Sequence, residues 1–241
     1  MKKLQQNKEN DNQRIKKPNV IFCEGIDAKM FVIWYLVYLK AEEDIFEDFQ
    51  VIDFGGNEEL PARLQEDLPN YPGYERLKSL LIIRDAERDY NAAIQSIQSA
   101  LKTANFPVPQ KPHNVAEGVK PNSSQNIKVA FTLFPTLSGN PKNGTLEDML
   151  VDILAEVDVE NVLKKVETFV NDLQTIGRNF GHMHKSKLHA YFAITDENAV
   201  DEFQNNSYIG AKVGEAARDG AFNFDCKPMN NLKSLLLKIM C

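Results

Sequence analysis

Two short apolar runs in this chain each stop at an acid. Ile21-Phe22-Cys23 runs into Glu24-Gly25, and Leu81-Ile82-Ile83-Arg84 runs into Asp85-Ala86-Glu87. Sixty-one positions separate Glu24 from Asp85, room for a strand–helix–strand–helix passage. In an open α/β sheet, groups at the carboxyl ends of strands converge on one crevice. Carboxylates gathered there have a common use, which is to hold a hard divalent cation such as Mg²⁺.

The elements that must position these acids follow from the apolar spacing. Residues 18–23 (PNVIFC), 49–54 (FQVIDF) and 79–84 read as three strands. A buried helix over 28–41, capped by Asp27, follows the first. After the second, Gly55-Gly56 makes a turn, and Asn57 caps a helix with Pro61 in its first turn. Residues 90–104 follow the third, with Ile94, Ile97 and Leu101 at helical spacing. Strand and helix alternate three times, the pattern of a parallel sheet with helices outside. Residues 106–121 are rich in Pro, Asn and Gly and read as a loop. Residues 126–134 (NIKVAFTLF) read as a further strand near a sheet edge. Helices are then expected from Thr145, with Asp148 at the capping-box position, over 159–173, around Leu188 to Ile194, and over 228–240. The domain division is a disordered basic tail over 1–18, an α/β core over 19–135, and a mostly helical part over 136–241 packed on the core.

Composition sets bounds on function. The 241 residues are 43% apolar and 26% charged, enough for a core. The net charge is −6, with +4 in the first 18 residues and −10 in the rest. An acidic body does not advertise nucleic-acid binding, although a bound cation inverts the local field at a carboxylate site. Cys23, Cys226 and Cys241 form neither a disulfide framework nor a zinc knuckle, which fits a reducing cytoplasm. The polar start has no secretory h-region. The longest apolar run, 30–39, is half a membrane span, so no membrane partner is expected. No G-x-x-x-x-G-K-[ST] loop is present, hence no ATPase domain.

The acid after the first strand and the acid-x-acid after the third resemble the Toprim domain of topoisomerases, primases, ribosomal-RNA maturation nucleases and OLD-type nucleases. Gly55 to Leu60 (GG-x-x-x-L), Gly144 to Asp148 (GTLED) and Gly210 to Lys212 (GAK) are similar to a group of small stand-alone Toprim-like proteins related to the OLD-type nucleases. The resemblance spans most of residues 18–240. It implies a Toprim-like Rossmannoid α/β fold: a mainly parallel sheet flanked by helices, with a helical C-terminal cap. It also implies that Glu24 is a general acid or base or a metal ligand, and that Asp85 and Glu87 bind Mg²⁺ or Mn²⁺. Glu147 and Lys212 would complete a two-metal site. Two features depart from the pattern. The second acid after the first strand is Asp27, three residues on rather than four. The third-strand pair ends in Glu87 rather than Asp, which lengthens one ligand by a methylene.

Each position also has a structural reading. Glu24 could cap a helix, although a Glu directly before Gly is a poor cap. Asp85 could cap the following helix. Glu87 and Asp89 could be first-turn charges, the better reading for Asp89. Glu147 stands between helix-dipole partner and ligand. Lys212 could simply be solvated, and Gly55-Gly56 either approach a phosphate or make a tight turn. His182, His184 and His189 match no zinc spacing. With Arg178, Lys185 and Lys187 they form the best basic patch in the acidic body. The expected function is a Mg²⁺-dependent phosphoryl-transfer protein, a nuclease on DNA or RNA. The alternative is a non-catalytic module that binds a phosphate ligand or a protein partner.

Overall fold

β1 (Asn19–Glu24) is buried on both faces, as a near-continuous apolar run in a central parallel strand should be. It pairs in parallel with β2 (Phe49–Gly55) on one side and β3 (Ser79–Asp85) on the other. β5 (Asn126–Phe134) continues the parallel sheet beyond β3, and β4 (Val115–Val119) closes it antiparallel to β5. The five-stranded order is β2-β1-β3-β5-β4. This computed structural model describes residues 13–136, 141–158, 161–177, 183–194 and 212–240.

Eight α-helical segments accompany the sheet among these residues: α1 (Gly25–Glu42), α2 (Leu60–Ala62), α3 (Tyr90–Thr103), α4 (Leu146–Val157), α5 (Val162–Thr175), α6 (Met183–Ile194), α7 (Val213–Arg218) and α8 (Lys227–Ile239). Strand alternation divides the core into two layers. Ile21, Cys23, Leu81 and Ile83 face α1, α4, α6, α7 and α8. Val20, Phe22, Leu80 and Ile82 face α3 and the irregular stretch 60–77. The chain is thus a mixed α/β protein with helices on both faces of a mostly parallel sheet. Its C-terminal helices complete the layer that α1 begins. The Phe31 ring of α1 lies 5.7 Å from Phe222 and 5.6 Å from Phe224, and the Tyr35 hydroxyl donates to Met229 O at 2.6 Å. No described helix is long and apolar enough to cross a membrane.

Four local features differ from expectation. α1 starts at Gly25, not after an Asp27 cap, because Gly25 at φ +80° turns the chain within one residue. Residues 115–119 form an edge strand where a loop is expected. Their ladder to β5 is made by backbone, and their half-exposed side chains give little periodic signal. α7 has no counterpart in the sequence reading. The expected disordered tail ends before residue 18: Ile15 is buried, its amide donates to Pro72 O at 2.9 Å, and Gln50 bonds both Arg14 O and the Lys16 amide. The earlier part of that tail, residues 1–12, lies outside the described residues.

Gly73 holds this segment. It sits at φ +92°, and a Cβ there would lie 2.1 Å from the Ile15 carbonyl oxygen. Gly73→Ala therefore costs about 2–3 kcal/mol, and Ile15→Ala about 2–4 kcal/mol, in urea unfolding. Losses below about 0.5 kcal/mol for both would show that residues 13–17 are not part of the fold.

Candidate functional site

The chain leaves β1 through α1 toward β2, but β3 lies on the other side of β1. That reversal opens a crevice at the carboxyl ends of β1 and β3, where open α/β sheets bind their ligands. Both strands end there in an acid. Parallel register sets Cys23 opposite Ile83, which brings Glu24 level with Arg84 and one residue short of Asp85. The Asp85 amide donates to Glu24 Oε2 at 3.1 Å. Glu24 makes no capping bond to α1. Asp85 does not cap the following helix either. Asp89 does that, accepting from the Asn91 and Ala92 amides at 3.0 Å. Instead Asp85 Oδ1 accepts the Leu146 amide, the first of α4, at 2.8 Å.

That bond carries α4 to the crevice and Glu147 with it. The start of α4 is fixed further by Asp148, whose carboxylate accepts from the Thr145 amide at 2.7 Å. Gly144 makes room for this, since a Cβ at its φ of +134° would lie 2.6 Å from Asp148 Oδ2. Glu87, at φ +54°, exchanges two 2.8 Å backbone bonds with Gly144. Its side chain is exposed at the rim.

The carboxylates share one electrostatic field. The Asp85 carboxyl is raised to about 8, first by burial, then by Glu24 and Glu147 and more weakly by Glu87, with the Leu146 amide opposing. Burial likewise raises Glu24, opposed by Arg84 and the Asp85 amide and reinforced by Glu87 and Glu58. The Arg84 side chain is only 4% exposed, with Nε 3.5 Å from Glu24 Oε2 and Nη1 3.2 Å from Ser96 Oγ on α3. Its Nε is nevertheless a buried donor without a hydrogen-bond partner, a situation that costs about 1–3 kcal/mol.

The donor set fits a hard cation. Glu24 and Asp85 each spend one oxygen on a backbone amide. Among the described residues, neither Glu24 Oε1 nor Asp85 Oδ2 is a buried polar atom left without a partner. Among the described residues no three His, Cys, Asp or Glu side chains form a ready-made cage. Mg²⁺ commonly takes one or two carboxylates and keeps its waters.

Of the residues singled out from sequence, Glu24, Asp85 and Glu147 gather at the crevice and Glu87 stands at its rim. For Lys212, exposed ahead of α7, no contact with these acids is seen among the described residues. The cation that does arrive is Lys185 of α6, with Nζ 3.6 Å from Glu147 Oε1 and 3.8 Å from Asp27 Oδ2. His184 Nε2 lies 3.0 Å from Asp148 Oδ1, and Lys187 pairs with Glu167 of α5 at 2.9 Å. Gly210, Ala211, Arg178 and His182 lie outside the described residues. Asp53 was missed: it lies two residues before the end of β2, and its Oδ1 accepts the Gly25 and Gly55 amides at 3.1 and 2.8 Å. Gly55-Gly56 makes the tight turn, since a Cβ at Gly55 would meet the Glu59 carboxylate at 2.5 Å.

Fold and site together define an open, mostly parallel α/β protein with an acid-lined crevice at its topological switch point. The chain belongs to the family of proteins of unknown function DUF3226, whose model matches residues 18–240. No curated protein matches the chain, and no solved structure does.

The raised Asp85 carboxyl has a consequence for stability. The folded chain keeps a proton that the unfolded chain releases near pH 4. Stability from this group is therefore full below about pH 4, falls as pH rises toward 8, and levels off above. Asp85→Asn keeps an acceptor for the Leu146 amide and mimics the protonated acid. In EDTA it should match the wild type near pH 4 and be more stable than it at pH 8.5. Thermal unfolding at the two pH values checks this, and equal melting points at pH 8.5 would contradict the crowded-carboxylate account.

Proposed function

We propose that this protein is a Toprim-like phosphoryl-transfer enzyme that depends on Mg²⁺ or Mn²⁺, a nuclease acting on DNA or RNA. The observation that carries the proposal is the convergence of Glu24, Asp85 and Glu147, from two strand ends and one helix start, on a crevice that leaves Asp85 protonated at neutral pH. Like charges held this close are relieved by a cation.

In this reading Asp85 and Glu24 hold the metal, with Glu147 beside them. The ion, when bound, neutralises charge developing on phosphoryl oxygens. The chain does the rest. Asp85 gives up its proton to solvent, and its amide fixes one Glu24 oxygen so that the other faces the crevice. The role first assigned to Lys212 passes to Lys185, a half-exposed ammonium beside Glu147 that can meet an anionic phosphate. His184 flanks it. These α6 cations are the feature of the acidic body that favours a nucleic-acid partner.

One observation favours the alternative, a non-catalytic module that binds a phosphate ligand or protein partner. Glu87, the second acid of the pair after β3, is exposed and locked into a bridge with Gly144. Metal binding discriminates.

The test is incubation with single- and double-stranded DNA and RNA in Mg²⁺ and in Mn²⁺, beside Asp85→Asn and an EDTA control. Cleavage should require metal and fall to the EDTA level in Asp85→Asn. Binding of Mn²⁺ at pH 7 should release about one proton per chain, read by calorimetry in buffers of different ionisation enthalpy. Cleavage by Asp85→Asn at the wild-type rate would sink the proposal, and no Mn²⁺ binding at all would favour the module, whereas proton-linked Mn²⁺ binding without cleavage would point to a phosphate substrate other than these.

A further inference from the structure

β3 is apolar from Leu80 to Ile83 and then places an arginine inside the protein. A guanidinium cannot be neutralised there by giving up its proton, so it must be paired. Only two polar side chains of the described residues meet it. Ser96 Oγ, on α3, anchors Nη1 from the far side at 3.2 Å. Glu24 Oε2 lies 3.5 Å from Nε, and that Nε makes no hydrogen bond although it is sealed from solvent. The same Glu24 oxygen is held by the Asp85 amide. One oxygen of Glu24 is therefore fixed from below by a strand-end amide and a buried cation, and the other is left to the crevice.

We infer that Arg84 is a positioning residue, fixing the Glu24 carboxylate so that its free oxygen can ligate a cation together with Asp85. The inference rests on the metal-dependent reading of the crevice. Arg84 never touches the ligand. It acts through Glu24 alone, while Ser96 holds the guanidinium in place. A short turn of the Glu24 carboxylate toward Nε would satisfy the one donor that is unmet, so cation binding and completion of this hydrogen bond favour each other.

A double-mutant cycle on the full chain isolates this role. Mn²⁺ affinity is measured by calorimetry for the wild type, Arg84→Met, Glu24→Gln and the double variant. Arg84→Met should weaken Mn²⁺ at least tenfold when Glu24 is present and less than twofold when it is Gln. Ser96→Ala, which loosens only the far anchor and keeps the charge, should give a smaller loss, about threefold, again confined to the Glu24 background. It also keeps the proposal testable if Arg84→Met does not fold. An equal loss from Arg84→Met in both backgrounds, or no loss from either variant, would overturn the positioning role. Asp85→Asn serves as the reference. If it abolishes Mn²⁺ binding while the cycle shows no coupling, only the role of Arg84 fails. If the wild type binds no Mn²⁺, or Asp85→Asn binds it as tightly, the metal-dependent reading fails and the positioning role with it.

Discussion

β1 and β3 lie side by side in parallel, yet the chain leaves β1 in the opposite direction, toward β2. Both strands are sealed on both faces, so their polar ends are pushed into the one place where the covering helices part. Register then does the rest. With Cys23 opposite Ile83, the acids that end the two strands stand one residue out of step, which lets the Asp85 amide reach Glu24. A slip by one residue would send the core side chains of the slipped strand to the opposite face. The crevice is therefore as well defined as the core itself.

From this pair the arrangement spreads outward. Asp85 bonds the first amide of α4 across 61 residues of sequence. α4 brings Glu147, and α6 lays Lys185 and His184 over the α4 acids. On the other side Asp53 ties the turn into α1 to the end of β2. Beneath, Arg84 links Glu24 to α3. Most of these contacts join segments far apart in sequence, and each involves a charged side chain.

Much of this was legible in the sequence, and the limits have physical causes. β1, β2, β3 and β5 announce themselves as apolar runs with turn residues after them. Glu24 and Asp85 stand out because an acid at the end of such a run is rarely there for packing. The Thr145–Asp148 cap of α4 was equally readable, since caps are local chemistry, whereas the cap of α3 is Asp89, which read as a first-turn charge, and not Asp85. β4 was not, because an edge strand needs no apolar alternation to pair through its backbone. Lys185 was readable as a basic residue but not as a neighbour of Glu147, which depends on how α6 packs. Lys212 was named for its motif alone, and no described contact joins it to the acids. Arg84 was overlooked although a signal was present: a charge inside an otherwise apolar strand demands a partner.

The Asp85 site also bears on how this fold would respond to selection for robustness. Proteins sit above a stability threshold rather than at an optimum, and sites that carry function are often the ones that give stability up. Here the sacrifice is local and identifiable: two sealed strand ends both carry acids, and one of them stays protonated. A search for a hardier version of this chain would rank neutral residues at position 85 among its best choices. Under the metal-dependent reading, each such choice would trade a proposed ligand of the cation for stability.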